Sequence, residues 1–247
     1  GVYVYEQATS VGVPAVAESG IPFVIGAAPV QSAANPAKVG EPTLCTSYEE
    51  AEAKLGFSED WQSYNLCEFM FSHFKLFESQ PVIFVNLLDP ATMKEAVSAT
   101  DLDVADRKVE LPLETIDDAT LVVKPAGGTG TAYVKDTDYA VYYSGGNCYV
   151  EVLADGGAFT ASQLNVAYNK VKPSTVTTNS VAMGMESIER CLGNLGIVPD
   201  LICAPGYSHD TTVAAIMAAK AGGINGMFKA KALVDISTKE GGGATEY

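Results

Sequence analysis

A chain of 247 residues with 47% hydrophobic and 18% charged side chains can bury a core in one large domain or two smaller ones. Its formal net charge of −15 works against binding to nucleic acid, which needs clustered Lys and Arg, and against an anionic membrane surface. No apolar run reaches the roughly 20 residues that span a bilayer, and the first residues lack the basic start and continuous apolar core of a signal peptide.

In chain order, Gly1, Val2, Tyr3, Val4, Tyr5 and Glu6 come first as a β-prone segment without a following turn to fold it into a hairpin. They are expected to act as an extended inter-subunit arm within an N-terminal stretch covering residues 1–20. IPFVIG (21–26) and PVIFVN (81–86) are apolar on both faces, as buried strands are. Between them Ser47 and Glu50 have the spacing of a capping box, which opens a helix through Leu55. A second helix is expected over 64–77, with Leu66, Phe69, Met70, His73, Phe74 and Phe77 on one broad face. His73 on that face reads as a core or interface residue and not as a ligand.

The texture changes over residues 102–175. Strands are expected at 110–113, 120–124, 132–135, 139–143, 148–153 and 163–170, separated by Gly- and Asp-rich turns. Short strands at this spacing suggest an antiparallel β-sandwich or barrel, inserted between two parts of an α/β domain at 21–101 and 176–247. The polar run 173–180 is the expected return crossing. A helix follows at about 185–195, then an apolar strand within 198–206. Asp210 is positioned as the N-cap of an Ala-rich helix over 211–221, closed by Gly222 and Gly223, and a further strand follows within 229–236. Strand, helix and strand make a βαβ unit, which belongs to a parallel sheet. The expected fold class is therefore α/β: a partial parallel-sheet domain carrying the antiparallel insertion.

Residues that could do chemistry are few. Cys45, Cys67, Cys148, Cys191 and Cys203 are scattered without C-x-x-C spacing, which fits packed thiols in a reducing compartment. Ser208, His209 and Asp210 spell the residue types of a hydrolase triad, but consecutive side chains diverge and cannot align as nucleophile, base and orienter. A structural turn and helix cap explains the same three residues. Gly127 to Gly130 precedes a strand and Gly222 to Gly226 follows a helix, so neither presents a helix N-terminus to phosphate. No cluster has metal-ligand spacing. No catalytic residue, cofactor or metal is expected.

The runs GVYVYE (1–6), IPFVIGAAP (21–29), PAKVGEPTLC (36–45), LCEFMFSHF (66–74) and PVIFVNLLDP (81–90), and most specifically PDLICAPGYSH (199–209), AGGING (221–226) and KALVDI (231–236), form a set. Together they resemble the tail sheath proteins of contractile phage tails. The resemblance is closest to sheaths of prophages and phage-tail-like particles of Gram-positive bacteria, and residues 102–175 resemble the family's variable β-sandwich insertion. It implies a non-enzymatic subunit that polymerises helically around an inner tube. Arms add strands to neighbouring copies, and the sheath contracts to drive the tube through a cell envelope. The implied partners are copies of the same chain, the inner tube protein, and baseplate and terminator proteins; the implied location is the virion tail, assembled in the host cytoplasm. The family's C-terminal domain, which accepts the arms, is expected to be missing from these residues.

Two other classes compete. An α/β hydrolase-like enzyme would use the loop 206–210 at the carboxyl end of a parallel strand, where such folds bind ligands. A carbohydrate-binding or adhesin module would use the insertion, with Tyr139, Tyr142, Tyr143, Tyr149 and Tyr168 stacking on sugars, although turn and core roles account for most of these tyrosines.

Overall fold

The computed structural model describes residues 20–238. The chain runs through β1 (Pro22–Gly26), β2 (Thr43–Cys45), α1 (Tyr48–Leu55), α2 (Asn65–Met70) and β3 (Val82–Asn86). It continues through β4 (Lys94–Asp103), β5 (Lys108–Pro112), β6 (Val122–Pro125), β7 (Tyr139–Ser144), β8 (Asn147–Val152) and β9 (Gln163–Val171). It ends in α3 (Thr178–Gly184), α4 (Cys191–Leu195), β10 (Leu201–Cys203), α5 (Thr211–Gly222) and β11 (Lys231–Leu233). The class is mixed α/β.

A five-stranded sheet in the order β11-β10-β1-β3-β2 forms the scaffold. Its first four strands are parallel and β2 is an antiparallel edge. Every residue of β1 and of β3 is buried, because helices cover both faces. Val24 and Phe84 are register partners, and Phe84 meets Phe69 and Phe74; their face is therefore the α2 face. Ile25 points the other way, to α3, where a Cβ on Gly184 would lie 2.9 Å from its Cδ1. α3 and α5 pack together on that second face.

Local chemistry sets the helix ends. Ser47 Oγ accepts from the Glu50 N–H at 3.1 Å and caps α1, while the Glu50 carboxylate reaches back to the Thr46 N–H at 2.7 Å. The helix expected over 64–77 is corrected: α2 gives way at Phe71 to a π-helix through Leu76, in which the Phe77 N–H donates to Ser72 O at 3.0 Å. This wider turn rotates its end off the sheet, leaving Leu76 60% and Phe77 74% exposed. The helix expected at about 185–195 is in fact a succession. The polar run before it is capping chemistry: Thr177 Oγ1 accepts from Ser180 N and starts α3, which tightens into a 3-10 helix over Met185–Arg190 before α4.

Residues between β3 and α3 form two three-stranded antiparallel sheets, β4-β9-β6 and β5-β8-β7. Val109, Leu111, Val123, Val150, Leu164 and Val166 meet in a hydrophobic cluster separate from that of the five-stranded sheet. Antiparallel pairing begins at Lys94, opposite Val171, ahead of the boundary expected at 102. β4 escapes detection from periodicity because its sequence, KEAVSATDLD, keeps most residues exposed and few apolar. The strand expected at 132–135 is not formed: the segment is irregular apart from an isolated bridge at Lys135 and leads into a turn, and Asp138 accepts from the Val134 N–H at 2.7 Å.

Candidate functional site

In an open parallel sheet, ligands bind outside the carboxyl ends of the strands, where successive crossings leave in opposite directions. Here that switch point lies between β1 and β10, and Asn65 bridges it. Asn65 Oδ1 accepts from the Ala27 N–H at 2.8 Å, and its Nδ2 donates to Pro205 O, tying the end of β1 to the end of β10. Asn86 Oδ1 accepts from Ala28 N at 2.9 Å and from Leu88 N at 3.1 Å, while its Nδ2 donates to Leu88 O at 3.0 Å. Both carboxamides are buried and satisfied. The last residue of β1 is glycine for a steric reason: a Cβ on Gly26 would collide with the Asn65 carboxamide. Sequence reasoning missed both asparagines; each stands beside an apolar run, NLC and FVN, which was the available signal.

The turn after β10 places Ser208, His209 and Asp210 apart. Ser208 is buried, and its Oγ accepts from the Asp235 N–H at 2.8 Å, pinning the chain just past β11. Asp210 Oδ1 accepts from Thr212 N at 2.9 Å and Val213 N at 3.2 Å, capping α5. His209 is exposed. Ser208 and Asp210 are thus committed to separate backbone contacts. The two carboxylate-to-amide bonds of Asp210 use the orphan N–H groups that every helix start carries. Cys203 lines the nearby groove, and burial pushes its thiol up to about 12, which removes thiolate at neutral pH. His73 stacks on Phe69 at 4.1 Å between centroids, and burial lowers its pKa, so the neutral ring is the resting form.

Two exposed features remain on the five-stranded sheet. Among the described residues β11 pairs with β10 on one side only, and its outer edge is unpaired, with Leu233 52%, Val234 45% and Ile236 59% exposed at and beyond it. On the α2 face, β10 and β11 floor a groove of about 340 Å³. Cys203 and Leu233 form its floor, Glu68, Phe69 and Ser72 one wall, and Asp235 one end. An edge with unpaired backbone groups can accept a further strand, and pockets beside it can read alternate side chains.

The tyrosines of the two antiparallel sheets divide by face. Tyr139 is buried, the Tyr143 hydroxyl donates to Thr115 O at 2.7 Å, and Tyr168 packs against the local core. Tyr142 and Tyr149 are cross-strand partners on the outer face, stacked at 5.5 Å with the Lys108 ammonium over both rings. Cation and mutual stacking thus occupy these ring faces. Among the described residues no group of three or more His, Cys, Asp or Glu is placed to hold a metal ion, and no helix is long and apolar enough to cross a membrane. The arm residues Gly1, Val2, Tyr3, Val4, Tyr5 and Glu6 lie outside the described residues. No family model matches the chain, and no curated protein matches it.

Proposed function

We propose that this chain is a structural subunit of a contractile tail sheath, assembling with copies of itself around an inner tube. The observation that carries the reading is the outer edge of β11, unpaired among the described residues and lined by exposed apolar side chains, in a sheet whose switch point between β1 and β10 is bridged by Asn65. A sheet edge of this kind is a liability in an isolated molecule and an asset in a polymer, where strand addition repeats from copy to copy. Head-to-tail contacts that fail to close a ring give helical filaments, the geometry a sheath requires. The sequence resemblance supplies the biological context: a virion tail, an inner tube protein, and baseplate and terminator proteins as partners. The two inserted antiparallel sheets support the comparison with the family's β-sandwich domain. In this reading Gly1 to Glu6 is the strand one copy donates to another.

Electron microscopy of the expressed full-length protein tests this directly, with tubular polymers as the expected result. Deleting residues 1–6 should abolish long tubes while leaving the monomer folded. Normal tubes from the deletion variant would remove the arm from the mechanism, and uniformly monomeric full-length protein at high concentration would remove the reading itself.

A further inference from the structure

β9 is the strand through which the two inserted sheets meet the scaffold, and both of its neighbours break step at one level. On one side the Val171 N–H donates to Glu114 O and the Ile116 N–H to Asn169 O, each at 2.8 Å, so residues 114–116 pair with the end of β9. β6 takes over on that side only at Val122, opposite Ala167. The residues between turn away from the ladder, with the Leu121 N–H donating to Asp118 O at 3.0 Å. On the other side Val97 of β4 pairs with Tyr168 and Thr100 with Val166, so Ser98 and Ala99 together face Ala167. Two residues against one make a β-bulge, which bends the strand that carries it. At Ala167 and Tyr168, therefore, β9 alone runs through without interruption.

The parts on either side of this level belong to different bodies. On the scaffold side, Ile116 and Val171 sit in the core of the five-stranded sheet. Gln31 Nε2 donates to Leu113 O at 3.0 Å, and the Tyr64 hydroxyl donates to Glu114 Oε1 at 3.3 Å. These contacts root the short stem formed by 94–97, 114–116 and 168–171. Beyond it, Val123, Leu164 and Val166 share the separate cluster that holds the two inserted sheets together. β9 is buried over Leu164–Val166 and again at Val171, but only half-buried from Ala167 to Lys170, so the core thins where the pairing breaks. One side-chain bond crosses back: the Tyr143 hydroxyl on β7 donates to Thr115 O in the stem at 2.7 Å. Next to it, Ser144, Gly145 and Gly146 face Ser32, Glu52 and Gly56 across a cleft of about 110 Å³. Among the described residues, a Cβ added at Gly145 or Gly146 would meet nothing within 4 Å, so this hairpin tip has room to approach the end of α1. Hinges are built from a few residues at the ends of elements that absorb the backbone change while packed bodies stay intact. We propose that the two inserted sheets tilt as one body about Ala167 and Tyr168, with the Tyr143–Thr115 bond as the catch that holds the position seen here. The device belongs to a single copy and stands apart from the assembly reading.

Pulsed electron resonance on the full chain tests it, with spin labels on pairs of introduced cysteines and the labelled protein diluted in unlabelled protein so that only distances within one copy are read. All five native thiols are buried, which keeps labelling to the introduced sites. Glu52→Cys with Ser144→Cys spans the cleft, and Ser144→Cys with Asp155→Cys lies within the inserted sheets. The cleft pair should give a broader distance distribution than the internal pair. Tyr143→Phe, which removes only the catch hydroxyl, should raise the population away from the principal cleft distance several-fold and leave the internal pair unchanged. Deleting Ala99 equalises the residue count across the bulge, and in the Tyr143→Phe background it should narrow the cleft distribution again. A cleft distribution as narrow as the internal one with both Tyr143 and Phe would overturn the hinge. Equal broadening of both pairs would also overturn it, since that is loosening of the sheets and not a tilt. An Ala99 deletion that leaves the spread unchanged would remove the pivot from this level.

Discussion

At the residue scale, buried polar side chains do most to define this sheet. Asn65 satisfies Ala27 N and Pro205 O across the gap between β1 and β10. Asn65→Leu keeps the volume but orphans a donor and an acceptor, each costing about 1–3 kcal/mol when buried. We expect a loss of about 3 kcal/mol in urea unfolding, with Gly26→Ala similarly destabilised because its Cβ has no room. Asp210→Ala should cost about 1 kcal/mol, the usual magnitude of an N-cap, and Ser208→Ala should raise hydrogen exchange at Asp235 without altering the helix cap. A labelled Ser208 after treatment with a serine-hydrolase probe would contradict the structural role of this turn. Glu50 sets an acid response. The Lys54 side chain first, and then the Thr46 N–H, hold its carboxyl down to about 2, against about 4.3 in an unfolded chain. The depressed value means that the contribution is complete above about pH 4.3 and is lost as pH falls toward 2. The pair is about one-third exposed, Lys54 33% and Glu50 35%, so solvent screening keeps it below about 1 kcal/mol. Thermal melts should show wild type more stable than Glu50→Gln at pH 6, with the gap closed at pH 2.

At the element scale, what could be read from the sequence follows the strength of each periodic or capping signal. The runs PFVIG and VIFVN are apolar throughout, and both are central strands of the five-stranded sheet. α5 is bounded by Asp210 and Gly223, residues with cap chemistry of their own. β2 and β4 were not legible, for different reasons. β2 is three residues long, below any period, and exists because β3 offers it an antiparallel partner. β4 is long but largely polar, and its partner β9 holds it in place. The π-helix after α2 also left no trace, because its i+5 bonding depends on tertiary packing of Phe74 against Phe84. At the candidate site, the groove arises from which half of a sheet face a helix covers, and no local pattern encodes that. Phe74→Ala should remove the wedge that holds the π-turn on the sheet. A loss of about 3–5 kcal/mol is expected, together with faster hydrogen exchange across 71–76 than across 65–70.

At the scale of the whole molecule, two hydrophobic clusters take up most of the core, and of the inserted segment's buried residues only Ile116 and Val171 join the scaffold's cluster. Lys94 and Val171, which open β4 and close β9, are register partners, so the segment between them leaves and rejoins the scaffold at one place. Expressed alone, residues 94–171 should fold with a cooperative thermal transition. Replacing them by a short Gly-Ser linker should leave the five-stranded sheet intact by circular dichroism. A segment that stays unfolded in isolation, or a scaffold that collapses without it, would show that the two clusters depend on one another.

That shared point of departure also fixes how tension would travel. Pull along the backbone through the scaffold, and force arrives at Lys94 and exits at Val171, the two sides of one rung of a single antiparallel ladder. The first rungs of β4 and β9 close the mechanical circuit, and the strands beyond carry no strain while those rungs hold. Failure would begin at Lys94–Val171 and proceed rung by rung, at low force, as a zipper opens. In single-molecule extension the inserted sheets should therefore release length after this ladder parts and never before it.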